Sequence, residues 1–138
     1  MDYESFIDSH GFHFFKGTEL TRLAKRVKKG IQNSEPHRSL WRNVIPTLMV
    51  ADIARERFGS PILITSAYRN PSYNAVCGGV RHSQHQLNRA LDLVPRNGDV
   101  KGLHKVILDL HKEGLFNGGI GKYNSFVHID TRGKNADW

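Results

Sequence analysis

The chain has 138 residues, 38% of them hydrophobic, and a formal net charge of +7. That length suits one domain spanning 1–138, and the composition supports a packed core, which excludes wholesale disorder. No apolar run approaches the roughly 18–20 residues of a membrane span, the N-terminal MDYESFIDSHG lacks the apolar centre of a secretory signal, and the single cysteine, Cys77, excludes an internal disulfide and a cysteine-based zinc site.

In chain order, Thr18 is expected to cap a basic helical segment at about 18–30, with Leu20, Leu23, Ala24 and Val27 on one face. Arg22, Lys25, Arg26, Lys28 and Lys29 would be exposed on it, either as a solvated face or as a contact for an anionic polymer. Residues 30–38 read as a loop with Asn33, Ser34 and Pro36 as turn formers. A helix follows over about 39–58, with Trp41, Val44, Ile45, Leu48 and Met49 as its buried stripe. Pro46 fits only in the first turn or at a kink, and Gly59 stops the helix.

Ile62–Ser66 is short and β-branched and reads as a strand. Residues 68–86, with Pro71, Gly78 and Gly79, read as a long loop, and long loops within small domains are usually functional. Arg89–Val94 reads as a second strand, Leu91 and Leu93 on one side, Ala90 and Asp92 on the other. Asp99 caps a helix with Leu103, Val106, Ile107 and Leu110 at helical spacing, and Gly114 ends it. Residues 118–123 form a strand or turn. Phe126–Thr131 is a strand with Val127 and Ile129 toward the core and His128 and Asp130 facing away. Helices around short strands predict an α+β class with a small antiparallel sheet and helices packed on it.

Two positions point to chemistry. Asp92 faces away from the apolar side of a strand that otherwise looks buried, and a buried carboxylate needs a partner. His85 lies seven residues earlier in a loop able to fold back beside it, and His128 occupies a similar outward position on another apolar strand. Two histidines and one carboxylate make a common catalytic zinc set, with a fourth position left for water. Spacing alone leaves another reading open, in which Asp92 is hydrogen-bonded in the core and His128 is an ordinary packed histidine.

The chain reads Ser66-Ala67-Tyr68-Arg69-Asn70-Pro71, then Asn74-Ala75-Val76-Cys77-Gly78-Gly79, then Ser83-Gln84-His85 through Ala90 and Asp92, and finally Phe126-Val127-His128-Ile129-Asp130. In order and spacing this resembles the zinc D-alanyl-D-alanine carboxypeptidase-like peptidases, whose metal site is shared by the Hedgehog signalling domain. The resemblance covers about residues 40–133. It implies the Hedgehog/DD-peptidase fold, one Zn2+ per chain held by His85, Asp92 and His128, and hydrolysis of a peptide bond. Arg69 matches an arginine that contacts substrate near the zinc, where a guanidinium suits a carboxylate or a developing oxyanion. Ser83 is expected to support the ligand loop, and Tyr68 and Tyr123 to join it in binding substrate.

Two positions depart from the family pattern. Several relatives carry an acid three residues before the last ligand histidine; here that residue is Ser125, which leaves Asp130 as the nearest candidate for proton transfer, with Tyr123 and His82 behind it. Asn88 stands where the family usually has glycine. Cys77 is expected to be a buried, inert thiol. Relatives mostly cut peptidoglycan stem peptides or cross-links, and the basic charge fits an anionic wall. The expected setting is therefore a monomeric wall peptidase without a membrane span, acting after release, as in phage lysis or from a virion, or after export by another route. The rivals are a non-catalytic zinc-containing binding module of the same fold and a nucleic-acid-binding protein. The latter lacks any recognisable motif for that role.

Overall fold

The computed structural model describes residues 1–138. Its centre is a five-stranded sheet of order β3-β4-β6-β5-β7: β3 (Ile62–Ser66), β4 (Ala90–Pro95), β5 (Gly119–Lys122), β6 (Val127–Asp130) and β7 (Ala136–Asp137). All pairs are antiparallel except β5 with β7, which are parallel. The class is α+β as expected, and the sheet departs from antiparallel only at that edge.

Strand alternation divides the sheet. Leu91, Leu93, Val127, Ile129 and Ile120 have no exposed surface. They form the core with α3 (Val44–Phe58) and α5 (Val100–Lys112), through Val44, Leu48, Leu103, Ile107 and Leu110. Burying each such side chain contributes roughly 1.5–3 kcal/mol. The opposite face carries the polar residues. Register places Ser66 beside Asp92, Asp92 beside His128, and His128 beside Gly121. These four residues form one row across β3, β4, β6 and β5. A bulge between Ile64 and Ser66 brings Ser66 into that row.

The expected strand at 62–66 and the helix capped by Asp99 are where the sequence puts them, and the Asp99 carboxylate accepts from the Gly102 N–H at 2.9 Å. The helix expected over 39–58 is two elements, a 3-10 segment over Arg38–Asn43 followed by α3, so Pro46 falls in the first turn of α3 where a missing N–H costs nothing. Met49, expected in the buried stripe, is 53% exposed. The N-terminal segment differs more. It begins with a helix α1 (Tyr3–Asp8) that the sequence did not announce. Next, α2 covers Gly17–Ala24, with Lys16 rather than Thr18 as its N-cap, and Gly17 is required there because a Cβ would collide with the Glu4 carbonyl oxygen. The basic stretch beyond it is a hairpin, β1 (Val27–Lys28) and β2 (Ile31–Gln32). Lys29 and Gly30 both have positive φ, 51° and 76°, which suits a two-residue hairpin turn better than a continuing helix. No helix is long and apolar enough to cross a membrane.

Candidate metal centre and its cleft

The long segment 68–86 is partly ordered by its own capping. Asn70 accepts from the Tyr73 N–H at 2.8 Å and starts α4 (Pro71–Val76). Ser83 Oγ accepts from the His85 N–H at 3.1 Å and starts a 3-10 turn over Gln84–Leu87. The Arg69 N–H donates to the His85 carbonyl at 3.1 Å, which ties this turn to the end of β3. His85 is thereby set next to Asp92 of β4 and His128 of β6.

His85, Asp92 and His128 are all buried and each offers a ligand atom within 4.8 Å of the others. The outer contacts fix which nitrogens are free. His85 Nδ1 lies 2.6 Å from the Ala67 carbonyl, and His128 Nε2 lies 2.8 Å from Asp130 Oδ2. A carbonyl and a carboxylate only accept, so these two nitrogens carry the protons. In the neutral rings, His85 Nε2 and His128 Nδ1 are then bare lone pairs. Both are directed at Asp92 Oδ1, at 3.2 and 3.0 Å. Three electron-rich atoms facing one another require a cation among them, either protons or a metal. Two imidazoles oriented from behind, with one carboxylate, suit zinc, so the residues present fit the group.

The electrostatics agree. Where protons rather than a metal lie among these atoms, burial works against the Asp92 charge, but the hydrogen bonds then donated by His128 and His85 outweigh it and hold the carboxyl well below the usual carboxylate range. Burial likewise opposes protonation of His128, and the Asp130 and Asp92 carboxylates overcome it, so its pKa is raised.

Arg69 lies at one end of the row. Its Nε donates to Ser66 Oγ at 2.9 Å, one Nη to Asn74 Oδ1 at 3.3 Å and the other to Asp92 Oδ2 at 3.4 Å. Asn74 is itself buried and donates to the Val80 carbonyl at 3.0 Å. A Cβ at Gly79 would collide with Asn74 Oδ1, which accounts for glycine there. Arg69, Asn74 and the Gly78-Gly79 pair thus form one support on the β3 side.

The centre opens into a cleft of about 460 Å³. Arg69, His82, Ser83, Tyr123, Phe126, Arg132 and Trp138 are among its lining residues. Cys77, expected to be buried, is only partly so and lines the cleft too. Two further expectations need correction. Tyr68 lines a separate small recess with Leu23, Arg26 and Asn33, away from its neighbour Arg69. Asp130 is fully buried behind His128 and is absent from the cleft wall. Arg132 Nε and Nη reach its two oxygens at 2.8 and 2.7 Å, and the Gly119 N–H donates at 2.9 Å. Burial raises its pKa, but Arg132 and His128 together bring it below the usual range, so it holds a proton poorly. That place suits orientation of His128, not proton transfer to substrate. Arg132 was missed in the sequence, although it continues the alternation of His128 and Asp130.

Asn88 shows why glycine is not needed at its position. It is left-handed, φ 57°, which asparagine tolerates, and its Nδ2 donates to the Leu40 carbonyl at 3.0 Å.

An α+β fold that holds two histidines and one aspartate, converging on the polar side of its sheet, is compatible with a zinc peptidase-type hydrolase. Zinc held by His85, Asp92 and His128 would polarise a scissile carbonyl and lower the pKa of a water toward ~7. A family model described as Peptidase M15 matches residues 13–130. The chain belongs to that family, the zinc D-Ala-D-Ala carboxypeptidase-like peptidases. No curated protein and no solved structure matches it.

Proposed function

We propose that the chain, as a monomeric single domain, hydrolyses a peptide bond in bacterial peptidoglycan, in a stem peptide or a cross-link. The observation behind this reading is the charge of the cleft. Besides the ligand Asp92, its lining holds no acidic side chain, whereas the guanidiniums of Arg69 and Arg132 line it while resting on Asp92 and Asp130. Such a cleft suits a peptide bearing free carboxylates, and the chain's charge of +7 favours adsorption to an anionic wall.

In this reading His85, Asp92 and His128 hold the zinc, the Ala67 carbonyl and Asp130 fix the two imidazoles, and Ser83 holds the turn that carries His85. Arg69 pairs with a substrate carboxylate or with the oxyanion that develops during attack. Proton transfer falls to a group on the cleft wall, His82 or Tyr123. The setting is wall degradation after the protein reaches the wall, as in phage lysis.

The test is zinc-loaded protein incubated with purified peptidoglycan, with mass spectrometry of the soluble products. New muropeptides that EDTA suppresses would support the reading, and their masses would identify the bond. Absence of new amines and of soluble fragments would sink it. A second reading, a zinc-bearing binding module, is favoured by two observations: Ser125 replaces the expected acid, and Asp130 is sealed off. Binding to the wall without turnover would support that module.

A further inference from the structure

The row Ser66, Asp92, His128, Gly121 has no side chain at its last position. A Cβ on Gly121 would lie 2.5 Å from Trp138 Nε1 and 2.7 Å from its Cε2. The indole therefore occupies the place where the next side chain of the row would stand. It is anchored on several sides. The Trp138 N–H donates to the Ile120 carbonyl at 2.9 Å, and the Lys122 N–H donates to the Trp138 carbonyl at 2.8 Å. Nε1 donates to Tyr123 Oη at 2.7 Å, and Tyr123 stacks on Phe126 with centroids 4.5 Å apart. The indole lies 5.2 Å from the His128 ring, and the Arg132 guanidinium lies 5.2 Å from the indole centroid.

This anchoring does not bury the ring. Trp138 remains 47% exposed and Tyr123 42%, and both line the cleft. An aromatic held rigidly by its edge and backbone, with a face left open beside a metal ligand, is arranged to be covered by something else. Covering it removes apolar surface from water at little cost in side-chain freedom. Arg69 stands at the other end of the row, beyond Asp92, so the metal centre lies between Arg69 on one side and the aromatic pair, with Arg132 beside it, on the other.

We propose that Trp138, braced by Tyr123, is a specificity-determining residue, seating an aliphatic side chain of the substrate peptide on the His128 side of the metal centre. Trp138 lies beyond residues 13–130, where the family resemblance ends. The inference rests on the peptidase reading above, and its test separates the two.

The experiment uses zinc-loaded protein and soluble muropeptides. Trp138→Ala should raise KM about tenfold while changing kcat far less, because the contact is shared by ground and transition states. Trp138→Phe should recover part of that loss. Gly121→Ala keeps the tryptophan but drives the indole off the row, and it should reproduce the KM effect. A second readout needs no turnover. In a Trp41→Phe background Trp138 is the only tryptophan. Its acrylamide quenching constant, read by stopped flow before the peptide is consumed, should fall by about twofold or more when muropeptide is present, since the part of the ring still open to solvent is covered. Unaltered KM in both Trp138→Ala and Gly121→Ala, or quenching unaffected by muropeptide while hydrolysis proceeds, would overturn the proposal and leave the peptidase reading intact. Failure of the unaltered chain to hydrolyse any muropeptide would overturn the peptidase reading and this inference with it.

Discussion

Asp130 Oδ2 accepts a 2.8 Å hydrogen bond from His128 Nε2 while Asp130 itself has no exposed surface. The pair directs the other imidazole nitrogen at the metal position, so Asp130 acts through its neighbour. Asp130→Asn should weaken zinc affinity about 10–100-fold, as measured by competition with a chelating dye. Full zinc affinity with lost turnover would instead return Asp130 to a proton-transfer role.

The raised pKa of His128 gives the metal-free protein an unusual pH dependence. The charged imidazole is stabilised by Asp130 and Asp92 in the fold, above its ordinary value of 6.5. Its contribution is complete below about 6.5 and fades as pH rises through the higher folded-state value. Zinc requires the same nitrogen unprotonated, so its contribution grows with pH. Thermal melts should therefore show a gap between zinc-loaded and metal-free protein that widens from about pH 6 to pH 8. A constant gap would contradict the assignment of His128 as a ligand.

Arg69 touches a ligand through its 3.4 Å contact with Asp92 but sits on the cleft wall. Arg69→Ala should lower kcat/KM by about 10²–10³-fold, the range for removal of a donor to a developing oxyanion. Zinc affinity should fall by much less. Equal losses in both would mean that Arg69 serves only to hold Asp92.

Asn88 combines a left-handed backbone with a tether to Leu40. Asn88→Gly should keep the conformation and lose the tether, costing about 1 kcal/mol by chemical denaturation. Asn88→Ala should cost about 1–2 kcal/mol more, because alanine adds strain at positive φ. A glycine variant less stable than the alanine variant would refute this account.

Much of the site could be read from alternation. Val127 and Ile129 against His128 and Asp130, and Leu91 and Leu93 against Asp92, are enough to assign the faces of β6 and β4. What alternation could not supply was depth. The same pattern that put Asp130 on the polar face gave no sign that Arg132 and the Gly119 N–H close over it. Tyr68 illustrates a similar limit, since the side on which an irregular segment presents each residue depends on a long-range bond such as that from Arg69 to His85. The helix expected to run from Thr18 to about Lys29 went wrong because its basic residues are good helix formers; the Lys29-Gly30 turn was the stronger signal. Trp138 had no signal at all, since its position depends on the parallel pairing of β7 with β5.

The row across four strands also orders events during folding. His85 and Asp92 are seven residues apart, whereas Asp92 and His128 are separated by 36. The third ligand arrives only when β4 and β6 have paired in register, and a slip of one residue would turn His128 into the core. A chain still folding offers zinc at most a loose two-point hold. Tight capture of the ion then marks a finished sheet, so wrongly registered chains would stay metal-poor and inactive.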